Sequence, residues 1–111
     1  MVDFKIKSEE IKYLTDIKGG CLASNIITVD GEKVGYAYRE KPDKDFPNDS
    51  GWRFFAGTED DAYLKNSNNF NVFELNTICN YDEIILPILE SEIGTSFIRA
   101  GDIMIKDENK R

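Results

Sequence analysis

Between Gly51 and Gly57 the chain runs Gly-Trp-Arg-Phe-Phe-Ala-Gly, and no other stretch narrows the fold as much. Successive side chains of a strand turn to opposite faces, so Trp52, Phe54 and Ala56 point one way and Arg53 and Phe55 the other. The run reads as the third strand of a sheet, and as a central one. Three consecutive acids, Glu59, Asp60 and Asp61, follow it at once. Thr58 stands where a helix would begin, and Asp61 three residues later completes a variant capping box. The three carboxylates then occupy the first helical turn, where the helix dipole favours each by roughly 0.3–1 kcal/mol. The acidic run is thereby explained as a strand handing over to a helix, without metal or catalysis. A solvated acidic helix start is also a suitable place to meet a basic partner.

The neighbouring segments suggest how the sheet is completed. Ser8 is placed to cap a short helix over about 8–18, with Glu9 and Glu10 in its first turn and Ile11, Leu14 and Ile17 along one face. Gly19 and Gly20 stop it. The segment from Cys21 to Glu40 reads as a β-hairpin about Asp30-Gly31, because a type I′ turn needs positive φ at both central positions. That pairing sets Val29 opposite Glu32 and Ile27 opposite Val34. Cys21, Ala23, Ile27, Val29, Val34, Tyr36 and Tyr38 then share the core face. Gly35 and Ala37 form a strip of small residues on the other face, read as lying under a helix rather than as a docking surface. Residues 41–50 are a loop. A fourth strand is expected near Val72–Leu75, and a short helix opened by Asp82 and interrupted by Pro87 comes next. Closing strands turn about Ala100-Gly101-Asp102, and a charged tail covers about 106–111. The expectation is one domain over 1–111 of α+β class: a mostly antiparallel β-sheet with short helices packed on one side.

Composition limits the chemistry. The 111 residues suit one compact domain, and the 41% hydrophobic content is enough for a modest core. Fourteen basic residues against 21 acidic give a net charge of −7, which disfavours nucleic-acid backbones and favours basic partners. No histidine is present, which removes the commonest general base and metal ligand and every Ser/His/Asp or Cys/His arrangement. Asp43 and Asp45 begin like a calcium loop, but Pro47 takes the third ligand position and no glutamate closes it. No phosphate-binding glycine loop is seen, and no catalytic residue, cofactor or metal site is assigned. The N-terminal residues lack the apolar core of a signal peptide, and no run is long enough to span a bilayer, so a reducing cytoplasm is expected. Cys21 and Cys79, both among apolar neighbours, are read as buried free thiols.

Three blocks say more: GGCLASNIITVDGEKVGYAYREKPD, DSGWRFFAGTEDDAYL and NVFELNTICNYDEIILPIL. Together they resemble the signature blocks of a bacterial family, immunity protein family 33 of polymorphic toxin systems, over about Gly19 to Phe97. DSGWRFFAGTEDD and LNTICNYD are the most specific. The resemblance implies a cytoplasmic, non-enzymatic inhibitor that binds a cognate toxin protein, with no catalytic residues to carry over. Charge clustering beside a rigid strand makes Asp43, Asp45 and Asp49 with Glu59, Asp60 and Asp61 the candidate partner-binding surface, with Asp82 and Glu83 as further additions. The alternatives are a small regulatory or ligand-binding module outside toxin biology and an enzyme working through carboxylates alone. The oligomeric state is left open.

Overall fold

A computed structural model describes residues 3–108. After a 3-10 turn, Ser8–Glu10, come strand β1 (Gly20–Ser24), helix α1 (Asn25–Thr28), β2 (Tyr36–Arg39) and β3 (Asp49–Phe55). Helix α2 (Asp61–Leu64), a 3-10 turn (Ser67–Asn69), β4 (Phe70–Glu74), α3 (Leu75–Tyr81) and a 3-10 helix (Glu83–Ile88) follow, and β5 (Ser96–Ala100) and β6 (Ile103–Lys106) close the chain. One six-stranded sheet runs β4-β1-β3-β2-β5-β6. Only the β1–β3 pair is parallel, so the sheet is mixed but mostly antiparallel, as the α+β expectation requires.

β3 sits inside the sheet, and its alternation is the one expected. Trp52 and Phe54 are buried and stack with centroids 5.7 Å apart, while Arg53 and Phe55 face the opposite side. Cys21, Ala23, Ala37 and Phe97 join them on the inner face. Ile27 of α1, Leu75 and Ile78 of α3, and Ile85, Ile88 and Leu89 around the 3-10 helix cover that face. A buried indole needs a partner for its N–H, and that of Trp52 donates to the Leu89 carbonyl at 3.0 Å. Asp82 caps the 3-10 helix at the Ile84 N–H. Its Oδ2 accepts from the Val34 N–H at 3.0 Å and from Arg99 Nη1 at 2.7 Å, so Arg99 pairs with a buried acid. Cys21 and Cys79 are buried free thiols, and β5 and β6 turn about Gly101 as expected. Burial raises both thiol pKa values, that of Cys79 to about 11, so neither carries a ready thiolate.

The hairpin about Asp30-Gly31 does not form. Ser24 Oγ accepts from the Ile26 N–H and starts α1, so the chain leaves β1 as a helix. β1 pairs with β3 and β4 instead of β2. The β2 faces are also exchanged. Ala37 lies buried on the helix-covered side, while Tyr36 and Tyr38 lie on the other. The switch falls at Gly35, where a Cβ would run into the Ala56 carbonyl. The helix expected at Thr58 begins two residues later. Asp60 is its cap, accepting from the Tyr63 N–H at 2.8 Å, and Asp61 opens the first turn. Leu75 starts α3 rather than ending β4. Of the charged tail, Lys106 ends β6 and residues 109–111 lie outside the described residues.

The helix expected over 8–18 is a single 3-10 turn followed by an irregular strap. Two asparagines one turn apart on α3 take the backbone bonds that a helix would have made internally. Asn76 Oδ1 accepts from the Leu14 and Thr15 N–H groups at 2.7 and 3.2 Å, and Asn80 Oδ1 accepts from Lys12 N–H at 2.9 Å. Both amides donate to the Lys12 carbonyl. Leu14 and Ile17 still pack on the core, so their apolar spacing reports burial without helicity. Asn76→Ala removes three of these bonds and is expected to cost about 2 kcal/mol. Urea unfolding measures the loss, and tryptic cleavage at Lys12 or Lys18 should accelerate with it.

Candidate functional site

Helices cover one face of the sheet. The other is left open, and pairing identifies its residues. Leu22 lies beside Arg53 and Val72, Tyr38 beside Arg53, Tyr36 beside Phe55 and Ile98, and Ile98 beside Ile105. Alternation adds Phe70 and Ile103 to the same side. The result is a groove of about 920 Å³ whose floor includes Leu22, Tyr36, Tyr38, Phe55 and Ile98. Leu64 and Lys65 at the end of α2 and Ser67 of the following 3-10 turn border it.

Its centre is aromatic. Tyr38 stacks on Phe55 at 5.7 Å and 14°, Tyr36 leans on both, and Phe70 meets Phe55 and Tyr63 edge-on at 5.9 Å. Gly35 makes this approach possible: its N–H donates to the Phe55 carbonyl, and no Cβ would fit against Ala56. Towards the margins the apolar surface is wet: Val72 is 56% exposed, Ile98 38%, Ile103 60% and Ile105 41%. Together with Leu64, these are five of the seven large apolar side chains exposed among the described residues. Isolated exposed apolar residues are ordinary, but their concentration on one face is a signature of an interaction surface.

An ion cluster anchors one end of the groove. Arg53 grips Asp49 with two hydrogen bonds, at 2.9 and 2.8 Å, and reaches Glu40 Oε2 at 2.7 Å. The Asp49 side chain is 0% exposed. Burial alone would push its carboxyl pKa up, but Arg53 and the N–H groups of Asp43 and Gly51 outweigh this and hold it at about 2. The guanidinium pKa is raised in turn, chiefly by Asp49. At the other end Glu59 accepts from the N–H groups of Ala56 and Gly57. Burial opposes its ionisation, but these bonds and the Ser24 hydroxyl lower its pKa.

The candidate acids therefore divide. Asp43 and Asp45 are exposed in the loop before β3, bonded to each other through the Asp45 N–H. The Asp49 side chain is fully buried and taken up by Arg53, so it does not belong to an exposed surface. Glu59, Asp60 and Asp61 lie beyond the far end of β3, so the two groups sit at opposite ends of the strand. Asp82 is buried against Arg99, and Glu83 is exposed at the start of the 3-10 helix. The open face carries the aromatic groups that sequence reasoning assigned to the core, Tyr36 and Tyr38. The reading of Ala37 as lying under a helix holds, and with it alternation places Tyr36 and Tyr38 on the other side. Among the described residues no cluster of His, Cys, Asp or Glu is placed to hold a metal ion, and no helix is long and apolar enough to cross a membrane.

The family model described as the immunity protein Imm33 domain matches residues 21–107. No curated protein matches the chain, and no solved structure does.

The Asp49 carboxyl ordinarily titrates at 3.8 and here at about 2, so the fold gains stability above pH ~4 and loses it as pH falls through this window. At ~1.4 kcal/mol per pH unit the gain is about 2 kcal/mol. Acid titration followed by the fluorescence of Trp52 is expected to show this loss between about pH 4 and 2. Asp49→Asn should be less stable at pH 7 and should lack that limb.

Proposed function

The chain belongs to the Imm33 immunity protein domain family, and on that premise we propose that it binds and neutralises a cognate bacterial toxin domain, without catalysis of its own. The observation that carries this reading is the open sheet face. A rigid sheet is braced by helices on one side and leaves an aromatic, partly exposed surface on the other, which suits recognition of a macromolecule. Charge supports it as well. At −7 the protein attracts a basic partner and speeds its approach, and toxin domains that act on nucleic acid carry basic substrate sites. In this reading the protein works in the cytoplasm, where it meets the toxin before or after entry.

The groove volume favours one second reading. About 920 Å³ lies within the range of small-molecule clefts, so a ligand-binding module outside toxin biology fits the same face. A small molecule that raises the unfolding temperature at stoichiometric concentration would support that module.

The test is neutralisation. The protein is used as bait in lysate of its native host, and the C-terminal domain of each captured protein is then expressed in a sensitive bacterium. One such domain is expected to arrest growth, and co-expression of this chain is expected to restore it. If no arrested strain is rescued, the immunity reading fails.

A further inference from the structure

Two rims flank the open face. Glu40, bonded to Arg53, and Glu59, bonded to the Ala56 N–H, line the groove at its two ends. Asp43 and Asp45 follow Glu40 in the loop before β3, and Asp60 and Asp61 follow Glu59. Lys41 and Lys44 stand beside the first three acids and Lys65 beside the second three, which leaves one end net −1 and the other net −2. Arg53, the cation on the floor, is spent on Asp49 and Glu40. The face is thus apolar and aromatic at its centre and negative at both ends.

We propose that this face is where the toxin docks, and that the toxin surface it fits is an apolar or aromatic ridge flanked on both sides by lysines and arginines. The proposal rests on the immunity reading and adds to it the site and the chemistry of the partner. Charge selects among occupants. A second copy of this chain would bring the same negative rims against these ones, and like charges across an interface oppose association. A basic partner finds complementary charge at both ends.

Area decides how much of the surface takes part. Strands ~4.8 Å apart and ~3.3 Å per residue give six short strands a face of about 400 Å². A standard interface takes about 800 Å² from each partner, so the apolar floor alone supplies about half. The two rims must supply the rest. Floor and rims therefore contribute differently: the floor holds the complex together, and the rims guide it in.

The experiment uses the full chain and the toxin domain that it rescues. Ile98→Lys puts a cation on the exposed floor, and Asp45→Lys with Asp61→Lys reverses one charge on each rim without touching the α2 cap at Asp60. Glu90→Lys, at an exposed residue after the 3-10 helix on the covered side, is the control. Circular dichroism and unfolding temperature confirm that each variant is folded. Ile98→Lys is expected to weaken binding at least tenfold and to abolish rescue. The rim pair should slow association several-fold and flatten its salt dependence, while Glu90→Lys should match the wild type. Folded Ile98→Lys that still rescues overturns the docking face and leaves the immunity reading standing. Wild-type chain that dimerises through this face, with the dimer lost in Ile98→Lys, overturns the choice of occupant. Wild-type chain that rescues no toxin overturns both readings.

Discussion

The buried carboxylate of Asp49 is the constraint around which one end of the molecule is arranged. An ionised group with no exposed surface must be met by opposite charge and hydrogen bonds, because losing either partner leaves the other charge stranded at a cost of several kcal/mol. Arg53 supplies the charge through a two-pronged contact from the same strand. The Asp43 and Gly51 N–H groups supply the rest. Gly51 is part of the solution: its φ is +90°, and a Cβ there would strike the Glu40 carbonyl. The pair thus pins the 41–48 loop to the start of β3 and draws Glu40 to the edge of the open face. It also keeps a cation out of the aromatic floor as a free charge.

The parts of this fold that were legible in the sequence are those set by local chemistry. The alternation of Trp52, Arg53, Phe54 and Phe55, the Asp82 cap, and the β5–β6 turn at Gly101 each depend on a few neighbouring residues. The misreadings have one cause, competition from outside the local window. Asp30-Gly31 is a strong turn signal, and Gly31 does take φ +83°, but the Ser24 cap uses the preceding residues for a helix. β1 then finds its partner in β3, which no local pattern announces. The spacing of Ile11, Leu14 and Ile17 suits a helix equally well as it suits a strap whose apolar side chains are buried. Asn76 and Asn80, more than sixty residues away, decide between them. Tertiary bonds overrode a weak propensity.

The candidate site was less legible for a related reason. Charge along the sequence shows where acids cluster but not which of them face water. Asp49 sits in the same acidic run as Asp43 and Asp45, yet a guanidinium four residues later claims it. The tyrosines of β2 were assigned to the core because pairing outward from Asp30-Gly31 put them on the face of Val34, and that hairpin does not form. A single-residue change of parity moves every following side chain across the sheet. For that reason the open face could be seen only once the register was known.

The division of the acids into two rims changes what the charge of −7 can do. A single acidic patch would offer a partner one point of attraction and leave its rotation about that point free. Two negative rims at opposite ends of the groove, one at Glu40 and one at Glu59, offer two points of attraction. Only one alignment satisfies both. The strand between them is stiff, paired on both sides within the sheet, so their spacing does not adapt to the partner. A basic surface with charges at the matching separation is then aligned before contact, and the aromatic floor meets its ridge without a search. Steering of this kind raises association rates while leaving dissociation to the desolvated centre. In the proposed docking, specificity would therefore lie in a distance set by the length of β3, and strength in the rings of Tyr36, Tyr38 and Phe55.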